Sequence, residues 1–252
     1  MVKWRDKDIW AMNRILRGLA FCTVFLTSMR APAAVDYTRV PSDTLVTFVR
    51  QNYFSRGGQT EEMIRELYSR AWATGNTHLL AQCFYLDALA EYSQSNGRGR
   101  FATRIDSLLL DPQMMRDAGN RLLLNYAKAL TELSSGNFTV AFRYALDAHH
   151  LAEEIGDVRL LVETAITLGN ISPYIYDYDQ SHRYYQLALG YLEPNTLNWY
   201  RLQINYSRLL FLEEQYDSAI TLLRKPIASL QKQGGDEGLR WPGSIWALIM
   251  RL

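Results

Sequence analysis

The chain has 252 residues, 48% of them apolar and 21% charged, with a formal net charge of +1. That balance suits a folded core and excludes wholesale disorder. Beyond Ala33 stand 21 of the 27 basic and 24 of the 26 acidic residues, a net of about −3, which argues against a nucleic-acid surface.

The first thirteen residues are mixed and polar. Arg14 and Arg17 then precede an uncharged, mostly apolar run from Gly18 to Ser28, followed by Ala31-Pro32-Ala33. A basic start, a short apolar core and a small-residue exit read as a secretory signal peptide over 1–33. The run is short of the ~20 residues that span a bilayer. Met12 is an alternative start, and Arg30 is atypical so near a cut site. The competing readings are an uncleaved membrane anchor and a buried N-terminal helix. A lipoprotein site at Cys22 is weaker, because bulky Phe21 precedes it. The expectation is export, to a periplasm, or anchoring with the rest of the chain outside the cytoplasm.

From Ala34 the chain reads as helices and short turns. Ser42-Asp43 caps a helix through Arg50, and Arg56-Gly57-Gly58-Gln59 breaks it. Thr60 caps the next helix, with Met63, Leu67 and Ala71 at helical spacing. Gly75-Asn76-Thr77 ends it, and an apolar run from Leu79 to Leu89 follows. Cys83 lies in that run as a small buried hydrophobe, and with Cys22 alone it makes no disulfide framework. Ser95 to Arg100 is a basic turn, not a phosphate loop, since no strand precedes it and the glycine fingerprint is incomplete. A short helix to Leu110 and Asp111-Pro112 complete a region of degenerate hairpins, 34–118. No run alternates with period two, so no sheet is expected.

Between 119 and 238 the sequence repeats. Asn137-Phe138-Thr139-Val140-Ala141, Asp177-Tyr178-Asp179-Gln180-Ser181 and Gln215-Tyr216-Asp217-Ser218-Ala219 each follow an apolar helical run. Phe138 and Tyr178 are 40 residues apart, and Tyr178 and Tyr216 are 38. A recurring aromatic followed three positions later by a small residue, at this period, marks a helical solenoid. Ala129, Gly136, Phe138, Ala141 and Ala148 in the first copy resemble the tetratricopeptide repeat. So do Gly169, Tyr178, Ser181, Ala188 and Pro194 in the second, and Ser207, Tyr216 and Ala219 in the third. The resemblance implies an all-α, right-handed α-α superhelix of antiparallel helix hairpins. Small residues sit where helices cross closely, and stacked neighbours share one core. Pro173 and Pro226 depart from the pattern and should end or kink their helices.

His149 with Glu153 and His150 with Glu154 are i,i+4 pairs, but no third ligand joins them, so a solvated helix face is expected rather than a metal site. No nucleophile elbow, Walker loop or paired-cysteine motif appears. The expectation is a non-catalytic protein with no cofactor.

In the family, the first helix of each repeat lines a concave groove. The resemblance puts Tyr126, Asn170, Tyr174, Arg201 and Arg208 at its centre, beside Leu130, Leu133, Glu163, Ile166, Ile204 and Phe211. The competing reading makes the same aromatics core between repeats. Ile166 stands where chaperone-binding members carry a clamp lysine, so that clamp is not reproduced.

Residues 239–252 make a turn and an apolar stretch from Ile245 to Met250, too short to span a membrane. It reads as the start of a further helix, which either continues a longer chain, dimerises or folds back. Two functions follow as expectations. One is an exported scaffold that binds a protein or peptide. The other is the extracytoplasmic sensor part of a truncated signalling or transcription-regulatory protein.

Overall fold

A computed structural model describes residues 36–53, 58–93 and 102–232. The expectations for 1–33 and 239–252 lie outside the described residues. The chain divides into two compact units, Met1–Val40 and Pro41–Leu252. In the first, the described part is a 3-10 turn, Tyr37–Arg39, capped by the Asp36 carboxylate, which accepts from the Thr38 amide at 3.0 Å.

The second unit is all-helical in its described part, with no strand. Its helices are α1 (Ser42–Asn52), α2 (Gly58–Thr74), α3 (Thr77–Ser93), α4 (Ala102–Leu109) and α5 (Ala118–Ser134). They continue with α6 (Phe138–Ile155), α7 (Val158–Ile171), α8 (Tyr178–Tyr191), α9 (Leu197–Leu212) and α10 (Tyr216–Lys232). From α5 onward each helix packs on the next, and α3 packs on α5 across the short α4. The helix α3 is buried on every side, from Leu79 through Leu89, which suits a helix wrapped by α1, α2 and α5.

The starts of the helices are written in side chains. Asp117, Asp157 and Asp177 accept from the amides of Asn120, Leu160 and Gln180 at 2.8, 2.9 and 2.9 Å, and so cap α5, α7 and α8. Thr196 does the same for α9. Thr60 does not cap α2. That helix begins at Gly58, and Thr60 is buried within its first turn.

The three hairpin turns share one backbone form. The amides of Asn137, Asp177 and Gln215 each reach back five residues, to the carbonyls of Glu132, Ser172 and Leu210 at 2.9, 3.0 and 2.8 Å. The residue before each is left-handed: Gly136, Tyr176 and Glu214, with φ of 79°, 62° and 61°. This is the Schellman ending of a helix, and it needs a positive φ that only glycine takes without cost. The first copy meets the need with Gly136. The other two adopt the same turn with a tyrosine and a glutamate.

Small residues stand at the crossings as their spacing requires. Ala141, Ala145, Ala148 and Ala152 of α6 are fully buried, as are Ser181 and Ala188 of α8. Gly169 of α7 lies so close to the Tyr185 ring that a Cβ there would sit 2.6 Å from it. The Ser181 hydroxyl donates to the Gly169 carbonyl at 2.6 Å across the same crossing. Pro173 ends α7 at Ile171 and opens a 3-10 turn, Ser172–Ile175. Pro226 does not end α10, which runs through it to Lys232 with the proline ring buried.

His149 is not on a solvated face. It is buried, with Nδ1 3.0 Å from the Thr164 hydroxyl and its ring edge-on to Tyr184. Thr164 gives its proton to the Leu160 carbonyl at 2.7 Å, so His149 is the donor between the two. His150 beside it is exposed. Among the described residues, no helix is long and apolar enough to cross a membrane, and no group of three ligating side chains gathers to hold a metal ion.

Candidate functional site

The odd-numbered helices meet through tyrosines. Tyr85 of α3 stacks on Tyr126 of α5, with ring centroids 5.6 Å apart. The Tyr85 hydroxyl crosses to α7 and donates to Glu163 Oε2 at 2.6 Å. The Tyr126 hydroxyl also reaches α7, donating to the Glu163 carbonyl at 3.2 Å and lying 3.0 Å from Thr167 Oγ1. Arg159, one turn before Glu163, donates to Glu163 Oε1 at 3.1 Å and lies 3.7 Å from Asp157. Glu163 thus joins three helices, through its carboxylate to α3 and its backbone carbonyl to α5, and its carboxylate is paired with the arginine on its own helix. Burial, reinforced by the Glu163 charge, holds both phenols far above their ordinary range.

Next to this buried end lies a more open one. The Ser93 hydroxyl donates to the Tyr53 carbonyl at 3.3 Å, which ties the ends of α1 and α3 together. Tyr53 lies within electrostatic reach of Glu163, Arg201 and Tyr92. Tyr92 in turn feels Arg208 and Tyr174. Arg208 of α9 also acts electrostatically on Tyr185 of α8, whose hydroxyl donates to Asn170 Oδ1 of α7 at 2.7 Å. Side chains of α1, α3, α7 and α9 and of the turn after α7 therefore face one region, with Tyr185 reaching in from α8.

This region is both wet and crowded. Tyr92 keeps 36% of its surface and Tyr174 49%. Yet burial raises the Tyr92 phenol above its ordinary range, against the opposing pull of Arg208. Burial likewise lowers the Arg201 guanidinium, with Tyr53 opposing. Water thus reaches these side chains while protein surrounds part of each.

The five residues expected at a groove centre fall as follows. Asn170, Arg201 and Arg208 are half-buried and face the region. Tyr174 sits on the 3-10 turn after α7, and its ring stacks on Phe138 at 4.2 Å and 7°. Tyr126 is 3% exposed and forms the floor beneath Tyr85. Ile204 and Leu130 are buried, while Phe211 is exposed and meets Tyr216 edge-on.

Sequence reasoning missed Tyr53, Tyr85, Tyr92 and Tyr185. The first three belong to the degenerate hairpins, where no register could be set. Tyr185 is on a second helix, which the repeat pattern assigns to the outside. Its one sequence signal is Gly169, the small residue against which its ring lies.

The described residues thus define an all-helical protein in which tyrosines and arginines of several helices lie within electrostatic reach of one another. Comparison with family models, with curated proteins and with solved structures finds no match to this chain.

Proposed function

We propose that this chain is a tetratricopeptide-like α-α solenoid acting as a non-catalytic scaffold in an exported compartment, where its recess binds a segment of another protein. The observation that carries the reading is the convergence of side chains from α1, α3, α7 and α9 on one partly hydrated region. In a stacked array of hairpins, every first helix turns one side to a common inner face. The shared Schellman turns at Gly136, Tyr176 and Glu214 support three equivalent hairpins.

Exposed phenol rings beside guanidinium groups suit protein recognition. Rings supply contact area at little entropic cost, and arginines fix orientation through forked hydrogen bonds. Glu163, the carboxylate of the tyrosine junction, is held by Tyr85 and Arg159.

The test is capture of partners from a cell-envelope extract, followed by calorimetry of the captured partner against wild type and the Tyr174→Ala, Arg208→Ala double variant. The double variant should bind at least ~30-fold more weakly, about 2 kcal/mol. A captured partner that binds both proteins equally would remove the recess from consideration.

A further inference from the structure

We propose that the hairpin of α9 and α10 is a hinged element, latched onto α8 by a bridge that runs from Glu213 through His182 to Tyr206. The junction it crosses is slight: among the described residues, successive helices from α5 onward share the smallest contact where α8 meets α9. The rings of His182 and Tyr185 on α8 each lie 5.4 Å from the Tyr206 ring of α9, so side chains rather than close backbones make this contact. Leu202 and Leu209 of α9 share a buried apolar cluster with Tyr185 and Ala188 of α8. Apolar burial is non-directional and fixes neither the register nor the rotation of one helix on another.

The bridge supplies the direction that the apolar contact lacks. Tyr206 on α9 and Glu213 at its C-terminal cap stand two helical turns apart on one face. The imidazole of His182 lies between them, with Nε2 2.8 Å from Glu213 Oε2 and Nδ1 2.9 Å from the Tyr206 hydroxyl. A carboxylate only accepts, so Nε2–H donates to Glu213, and in the neutral ring Nδ1 accepts the Tyr206 proton. One ring from α8 therefore spans two turns of α9, and sliding or rotation of α9 breaks one of its bonds. All three side chains are partly hydrated, so water takes up a broken bond at modest net cost.

Behind the bridge, the connection is built to turn. The turns at Gly136, Tyr176 and Glu214 are each closed by a five-residue amide bond of 2.8–3.0 Å. Residues 192–196, between α8 and α9, instead carry a long bond from the Thr196 amide to the Glu193 carbonyl, at 3.4 Å. Leu192 is extended and Asn195 left-handed, with φ of 66°. Pro194 stiffens its own position and leaves rotation to its neighbours. Hinges concentrate their motion in a few such residues at the ends of elements.

The experiment measures distances in the full chain by pulsed electron paramagnetic resonance. Spin labels are coupled to ketone side chains introduced at exposed Gln186 of α8 and exposed Arg224 of α10. A second pair, at exposed Arg143 of α6 and Gln186, lies wholly before the junction. Wild type should give one narrow distance for each pair. His182→Phe keeps a ring but loses both bonds. It should add a second, broader set of distances to the 186–224 pair alone, in a population at least about tenfold larger than in wild type. Tyr206→Phe, which deletes one oxygen, should change the same pair by less, and should add nothing in the His182→Phe background. Circular dichroism should show the same helical signal throughout. Where His182→Phe fails to fold, Tyr206→Phe carries the test.

A 186–224 distance that stays narrow in both variants overturns the latch. So does equal broadening of the 143–186 pair, which would mean that the bridge steadies the unit as a whole. Loss of helical signal in both variants overturns it too, since the bridge would then maintain the fold rather than close a hinge. A Tyr206→Phe effect that persists undiminished in His182→Phe would show that the hydroxyl acts outside the bridge, and the three-membered latch falls.

Discussion

Tyr176 and Glu214 carry a left-handed backbone that costs an ordinary residue about 1 kcal/mol or more. Replacing either by glycine should raise the stability of the chain by up to ~1 kcal/mol, seen as a higher melting temperature. Gly136→Ala, at the same position of the first turn, should lower it. A melting temperature that moves the other way in Tyr176→Gly would show that the tyrosine ring contributes more than its backbone costs. The sequence template finds this turn only in the first copy, because it looks for glycine. The other two reach the same angle through the five-residue amide bond, so geometry recurs where residue type does not. His149 offers a second residue-scale outcome. Burial holds its pKa below the ordinary value, with Glu153 opposing. The unfolded chain therefore takes up protons that the folded one refuses. The stability His149 contributes is complete above about pH 6.5 and is lost as the pH falls below it. Melts between about pH 7 and pH 5 should show a shallower decline in His149→Phe than in wild type, and parallel curves would assign the acid sensitivity elsewhere.

Between elements, the decisive feature is how near α7 comes to α8. A Cβ at Gly169 would meet the Tyr185 ring at 2.6 Å, so Gly169→Ala should cost ~1–3 kcal/mol. Tyr185→Leu in the same chain should recover part of that loss. A double-mutant cycle checks it, and additive effects would mean the crossing relaxes without the ring moving. Ala141→Trp, which overfills the buried crossing of α6, should be destabilising by a similar amount, while Arg208→Ala, at a half-buried site, should cost less. Thermal denaturation of the pair compares them directly. These crossings are the legible part of the fold: small residues at fixed offsets from an aromatic leave a trace in the sequence. The candidate site is legible by half. Asn170, Arg201 and Arg208 lie on first helices whose register the repeats define. Tyr53 and Tyr92 arrive from α1 and α3, where contact depends on how far the chain has wound, and local spacing carries no record of that. Tyr126 illustrates the converse. Its place on a first helix is plain in the sequence, but Tyr85, forty-one positions earlier, is what covers it.

At the scale of the unit, each helix from α5 to α9 packs on both its neighbours in the chain. Stability in such a line is shared between neighbours, and inner members are held from two sides. Hydrogen exchange should therefore be slowest in α5 through α8 and faster in α1 and α10. Uniform protection across all ten helices would indicate a single all-or-none unit instead. The tyrosine junction of Tyr85, Tyr126 and Glu163 adds one consequence at the alkaline end of the scale. These phenols stay protonated in the folded chain well beyond the pH at which free tyrosine ionises, near 10. The unfolded chain gives up those protons first, so alkali draws the molecule open in proportion to them. The check is an ultraviolet titration followed alongside circular dichroism. The joined rings should appear together, as one abrupt and delayed gain in phenolate absorbance that coincides with loss of the helical signal. The bolt between α3, α5 and α7 is in this sense also a reporter, silent until the structure it fastens has gone.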